Sequence, residues 1–151
     1  MTRTRQEVAL LVKRLQHRHH RALTAALADL GISLVQWDTL RHLHRHPDAS
    51  LHDLAQLTFQ TDQSFGSLAT RMVERGLIER IPGPGRAVRH RLTERGQQLR
   101  QAGDALVNEV FTGSFAPLAA DQLDQLGDLL HQLLDPSTTP DADNSVTSTT
   151  T

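Results

Sequence analysis

Between Leu77 and Gly96 the chain reads LIERIPGPGRAVRHRLTERG, and there its helical period stops. Leu77, Glu79 and Ile81 alternate with Ile78 and Arg80, and Val88, His90 and Leu92 alternate with Arg89 and Arg91. That two-residue period is the mark of strands. Pro82 and Pro84 restrict φ while Gly83 and Gly85 permit a sharp reversal, so strands from about Leu77 to Ile81 and Ala87 to Leu92 should form a narrow hairpin. The expected fold class is therefore mainly α with a small β-hairpin.

The flanking segments are helical. Val8, Leu11, Val12, Leu15, His19, Ala22, Leu23, Ala26, Leu27 and Leu30 recur at three- and four-residue spacing, predicting a helix from Thr4 to Leu30 that stops at Gly31. At a rise of about 1.5 Å per residue that rod is roughly 40 Å long, more than a small domain is wide. Part of its stripe must pack outside its own domain, and a second copy of the chain is the simplest partner. Ser33 caps a helix from Leu34 to His46 with Trp37, Leu40, Leu43 and His44 inward. Ser50 and Asp53 make a capping pair for a short helix burying Leu51, Leu54, Ala55 and Leu57. After a turn at Thr58-Phe59-Gln60, Thr61 caps a fourth helix with Phe65, Leu68, Ala69 and Met72 inward, stopped by Gly76. Thr93 caps a fifth helix to about Thr112 with Leu99, Ala102, Leu106, Val110 and Phe111 as its stripe. The last runs from Ala120 to Asp135 with Leu123, Leu126, Leu130, Leu133 and Leu134 inward. One domain over residues 1–135 is expected, and the nearly apolar-free tail 136–151 should be disordered.

Composition narrows the function. The 151 residues include no cysteine, which removes disulfides, thiolate metal sites and cysteine nucleophiles. No apolar run is long enough to span a bilayer, and polar, arginine-bearing sequence follows Met1, so a cytoplasmic protein without a membrane partner is expected. The net charge of −1 conceals an asymmetry: six acids and no Lys or Arg from Asp121 onward, against seven arginines and four acids from Thr61 to Arg95. A local basic field of this kind suits a polyanion. No H-E-x-x-H, G-x-S-x-G or P-loop pattern occurs, and the segment after Gly85 is a strand where a phosphate loop needs a helix N-terminus, so neither an enzyme nor a cofactor is expected.

Short helix, turn, capped helix and hairpin in this order make a winged helix-turn-helix, which expects double-stranded DNA as its partner. The fourth helix would lie in the major groove, with Gln63, Ser64, Ser67 and Arg71 toward base edges, Thr70 beside them and Thr61 at the cap. Arg86 at the hairpin tip would enter the minor groove, and Arg89 and Arg91 would meet phosphates. Asp62 would repel phosphate at the helix start.

The pattern GISLVQWDTLRHL…SLHDLAQL…TDQSFGSLATRMVERGLIERIPGPGRAVRHRLTERG resembles the multiple-antibiotic-resistance regulator (MarR) family, over roughly Val8 to Asp135. RMVERGLIER matches the exit of the family's recognition helix, and RAVRHRLTERG the return strand of its wing. The resemblance implies a transcription regulator, a homodimeric repressor released by a small ligand, whose paired recognition helices read a pseudo-palindromic operator. It also implies a winged helix-turn-helix core over 34–92 flanked by long N- and C-terminal dimerisation helices, 4–30 and 94–135. Two positions depart from the family pattern: Pro84 stands where wings carry an aspartate, and Gly66 and Ser67 stand where an early basic residue is common.

By the same resemblance, a small anionic or phenolic effector would lie between the dimer helices and the winged lobe, near Arg14, Arg18, His20, Trp37 and Arg41. An alternative is a zinc-responsive regulator using Asp38, His42 and His46, which recur at four-residue spacing on one helix face. Another is a winged helix that docks proteins and leaves its DNA surface idle.

Overall fold

Hydroxyl side chains open five of the six helices among the described residues. The computed structural model describes residues 2–83, 85 and 87–135. Within them run α1 (Arg5–Ala28), α2 (Leu34–Arg45), α3 (Leu51–Leu57), α4 (Asp62–Glu74), β1 (Ile78–Arg80), β2 (His90–Leu92), α5 (Glu94–Phe115) and α6 (Ala120–Leu134). Thr4, Ser33, Ser50 and Thr61 each accept the N–H three residues on at 3.1 Å, and Thr93 accepts that of Gly96 at 3.0 Å. Ala119 has no such oxygen, so at α6 the Gln122 side chain turns back to accept the Ala119 N–H at 2.9 Å. Gly31 and Gly76 reverse the chain after α1 and α4 with φ of +71° and +72°, a conformation glycine adopts without a Cβ penalty.

The chain packs as two units, Met1–Ser114 and Phe115–Thr151. In the first, Leu27, Leu40, Leu54, Phe65, Met72, Leu77 and Ile78 form the centre of one apolar core. The strands are shorter than expected, and Ile78–Leu92, Glu79–Arg91 and Arg80–His90 are the antiparallel pairs. Beyond them the Ile81 N–H still donates to the Arg89 carbonyl at 2.9 Å, while the other edge of the return segment meets α3's cap: Ser50 and Arg89 form a bridge, and the Leu51 N–H donates to the Val88 carbonyl at 2.9 Å.

Three inward assignments change. On α5 the fully buried line is Gly96, Arg100, Gly103 and Val107, while Leu99, Val110 and Phe111 of the expected stripe pack half-buried against the core; Ala102 is exposed and Leu106 half-buried. The cause is close approach, because a Cβ on Gly103 would run into the Trp37 indole and one on Gly96 into the Leu77 carbonyl. On α2, His44 is exposed, and it is His42 whose side chain is only 13% exposed. Trp37, Leu40 and Leu43 are buried as expected. In the single chain, the first half of α1 buries nothing, leaving Val8, Leu11 and Val12 about half exposed. The second unit carries α6, which buries no residue; Leu123, Leu130, Leu133 and Leu134, expected inward, are exposed. Residues 136–151, where a disordered tail is expected, lie outside the described residues. No helix among the described residues is long and apolar enough to cross a membrane.

Candidate nucleic-acid interface

The burial of Phe65, Leu68, Ala69 and Met72 turns the opposite side of α4 outward. Thr61, Gln63, Ser64, Ser67, Thr70 and Arg71 are all exposed there. Gln63, Ser64, Ser67 and Arg71 border one cleft of about 370 Å³, joined by Gln60 from the preceding turn. Two of the hydroxyls have backbone duties: Thr61 accepts from the Ser64 N–H, and Thr70 donates to the Gly66 carbonyl at 3.0 Å. Asp62 is not a bare charge, since its carboxylate meets His52 Nδ1 at 2.8 Å.

Arginines near α4 divide into committed and free. Arg75 donates to the Gln36 side chain at 3.1 Å and to the Gly31 carbonyl at 2.8 Å, tying the end of α4 to the start of α2. Arg89 and Arg91 point away from the side of β2 that holds buried His90, as the alternation predicts. Arg91 donates to Glu79 across the hairpin at 2.6 Å, so part of its charge is answered within the wing. Arg89 has no ion pair among the described residues. Pro84 and Arg86 lie outside the described residues. Burial, assisted by the positive charge of Arg80, holds the His90 imidazole below its ordinary pKa, and its Nδ1 has no hydrogen-bond partner.

A larger cavity of about 1230 Å³ opens between α1, α2, α5 and the α3–α4 turn. Of the residues expected there it is bordered by His20, Trp37 and Arg41; Arg14 and Arg18 are exposed on α1 and do not border it. Sequence patterning missed Arg45, Phe59, Arg100 and Asp104, which do. Trp37 Nε1 donates to the Arg100 carbonyl at 3.3 Å, and the Arg41 guanidinium lies 5.7 Å from the indole centroid. The Arg100 guanidinium donates to Asp104 at 2.7 Å and to Gln97 at 3.2 Å. Arg41 donates to Asp38 at 2.8 Å.

Among the described residues no three His, Asp or Glu side chains gather as a metal requires. Asp38 and His42 approach to 3.5 Å, but Arg41 sits on the same carboxylate and 3.2 Å from His42 Nε2. A cation beside both would-be ligands disfavours a metal ion there, and among the described residues Asp38, His42 and His46 do not gather into a ligand group. Burial, the largest influence, lowers the His42 pKa despite Asp38.

Residues 30–87 match the model of the MarR family. The winged-helix core over those residues is similar to that family. Over 113 residues the chain is 28% identical to the HTH-type transcriptional repressor Rv2887 of Mycobacterium tuberculosis, covering 74% of this chain and 81% of that protein. It is 24% identical over 119 residues to the repressor IacR of Pseudomonas putida, covering 78% and 71%. Among solved structures, the Rv2887 complex with salicylic acid superposes with a TM-score of 0.69 at 27% identity, over 82% of this chain and 93% of that one. A mutant Escherichia coli MarR complexed with operator DNA superposes with a TM-score of 0.77 over 85% and 94%; at 22% identity it speaks for the fold alone. Rv2887 and IacR are HTH-type transcriptional repressors, and the family match covers the helix-turn-helix and the first strand of the hairpin.

Proposed function

We propose that this chain is a cytoplasmic, sequence-specific double-stranded DNA-binding transcription regulator: a homodimeric repressor, released when a small anionic or phenolic molecule enters the Trp37 cavity. The observation that carries it is the exposed polar row on α4 beside a wing whose Arg89 makes no salt bridge among the described residues, within a core similar to the MarR family. Gln63, Ser64, Ser67, Thr70 and Arg71 would read base edges, Thr61 would meet the backbone at the helix start, and Arg86, Arg89 and Arg91 would carry the wing. Exposed leucines on α6 and apolar residues at the start of α1 would be covered by a second copy, which sets two α4 helices about one DNA turn apart, ~34–36 Å. The relatives support this: Rv2887 has been crystallised with DNA and with salicylic acid.

The test is binding to random duplex across a salt series. A log–log slope of several units is expected, because each neutralised phosphate contributes about 0.9. A flat response would leave the fold as a protein-docking module. Arg86→Ala is expected to weaken operator binding at least about tenfold, within the range of a specific arginine contact.

A further inference from the structure

Asp62 opens α4 between the Thr61 cap and Gln63, among the side chains assigned to the duplex. A lone carboxylate there would oppose phosphate. It is instead paired across the helix-turn-helix: His52 of α3 brings Nδ1 to 2.8 Å from Asp62 Oδ1, and both side chains are more than half exposed. An ionised carboxylate only accepts, so the proton of this bond sits on Nδ1. The other ring nitrogen, Nε2, has no hydrogen-bond partner among the described residues.

The pair also adjoins the wing. Leu54 and Ala55 are the buried residues of α3, and His52 and Asp53 lie on its exposed side. The Asp53 carboxyl is held below its ordinary range chiefly by its bonds with Ser50, and further by the charges of His52 and Arg89. Ser50 itself bridges to Arg89. His52 therefore stands between Arg89, the wing arginine that makes no salt bridge among the described residues, and the first turn of α4. The charged groups about its ring are Asp62 from α4, Asp53 on its own helix and Arg89 from the wing.

We propose that His52 is a phosphate contact of this interface, donating from Nε2 to the DNA backbone, with Asp62 as the residue that positions it. This rests on the DNA-binding reading above, and it gives Asp62 the opposite effect to simple repulsion. While Nδ1–H is given to Asp62, Nε2 accepts in the neutral ring and donates only in the imidazolium. A phosphate oxygen accepts, so the contact forms with uptake of one proton from solvent. The ring is then a cation with Asp62 behind it and phosphate before it, joined to each by a charge-assisted bond. Phosphate contacts carry no base information and fix how a protein sits on the duplex, so His52 sets the placement of α4 and not its choice of sequence.

Random duplex suits the test, since the contact is independent of sequence; its affinity for the full-length chain is read by anisotropy at about pH 6 and pH 8. His52→Ala should weaken binding about fivefold at the lower pH and flatten the log–log salt slope by about one unit. It should do less at the higher pH, because histidine alone among ordinary side chains changes charge across this range. Asp62→Asn should weaken binding about twofold with His52 in place and strengthen it in the His52→Ala background, where the carboxylate only repels. Both side chains lie outside the apolar core, which the substitutions leave intact. An Asp62→Asn effect of the same sign and size in both backgrounds would overturn the positioning role. An unchanged salt slope and pH profile in His52→Ala would overturn the contact, and the DNA-binding reading stands if the native chain keeps a slope of several units. A native chain with a flat salt response sinks both.

Discussion

Gly103 and Trp37 show how much of this core rests on a missing side chain. The indole occupies the place a Cβ would take, which lets α5 approach α2 and brings the Arg100 carbonyl to Trp37 Nε1. Gly103→Ala should therefore destabilise the fold by about 1–3 kcal/mol, the usual cost of overpacking, and urea melts followed by Trp37 emission would measure it. Hydrophobic patterning overlooks such a position, because it counts side chains, and glycine and arginine register as surface. For that reason Trp37, Leu40 and Leu43 were legible in the sequence while Gly96, Arg100 and Gly103 were not. His90 and His42 give a second prediction. Burial lowers both pKa values from 6.5, so the unfolded chain binds their protons first. Stability from these two residues is whole above that value and is lost as pH falls through it toward the lower folded values. The denaturation midpoint should drop between pH 7.5 and 5.5, and His90→Leu should remove part of that drop; an identical drop in the variant would rule out His90 as a source.

Among the elements, the wing contains its own brake. Glu79 answers Arg91 across the ladder, so of the two outward arginines on the return segment only Arg89 makes no salt bridge among the described residues, with Asp53 as a more distant counter-charge. Glu79→Gln should raise affinity for duplex several-fold and steepen the log–log salt dependence by about one unit, as one more phosphate contact would. Arg89→Ala should lower affinity more than Arg91→Ala, and anisotropy titrations against a salt series separate the two. The starts of α2 to α5 were legible to the residue because Ser33, Ser50, Thr61 and Thr93 announce them through short-range chemistry, whereas the sequence pattern counts the cap at Thr4 as the first helical residue. Strand lengths were not, because alternation persists through Ala87 and Val88, beyond the hydrogen bond from the Ile81 N–H to the Arg89 carbonyl. The cavity was half legible: periodicity put Trp37 and Arg41 on one helix, but only the fold brings up Arg45, Phe59 and Arg100.

At the scale of the whole molecule, Leu123, Leu129, Leu130, Leu133 and Leu134 on α6 are exposed, and so, in the other unit, are Val8, Leu10, Leu11 and Val12 on α1. The rod length read from the sequence anticipated that α1 needs an external partner, and the exposure of α6 in the single chain fits the dimerisation role that the resemblance implied for 94–135. Leu130→Asp with Leu133→Asp should yield a species sedimenting as a single chain and binding a duplex operator at least about tenfold more weakly, because avidity between two half-sites is gone. A dimer with unchanged sedimentation would place the interface elsewhere. The return segment of the wing is sewn on one edge to β1 and on the other to the cap of α3, through Arg89 with Ser50 and Val88 with Leu51. Hairpin and helix-turn-helix thus behave as a single stamp with no joint between them. Letting go of the double helix is then a one-step affair for each half of the dimer, with both grooves vacated together and no long-lived state in which a wing still clings after its helix has left.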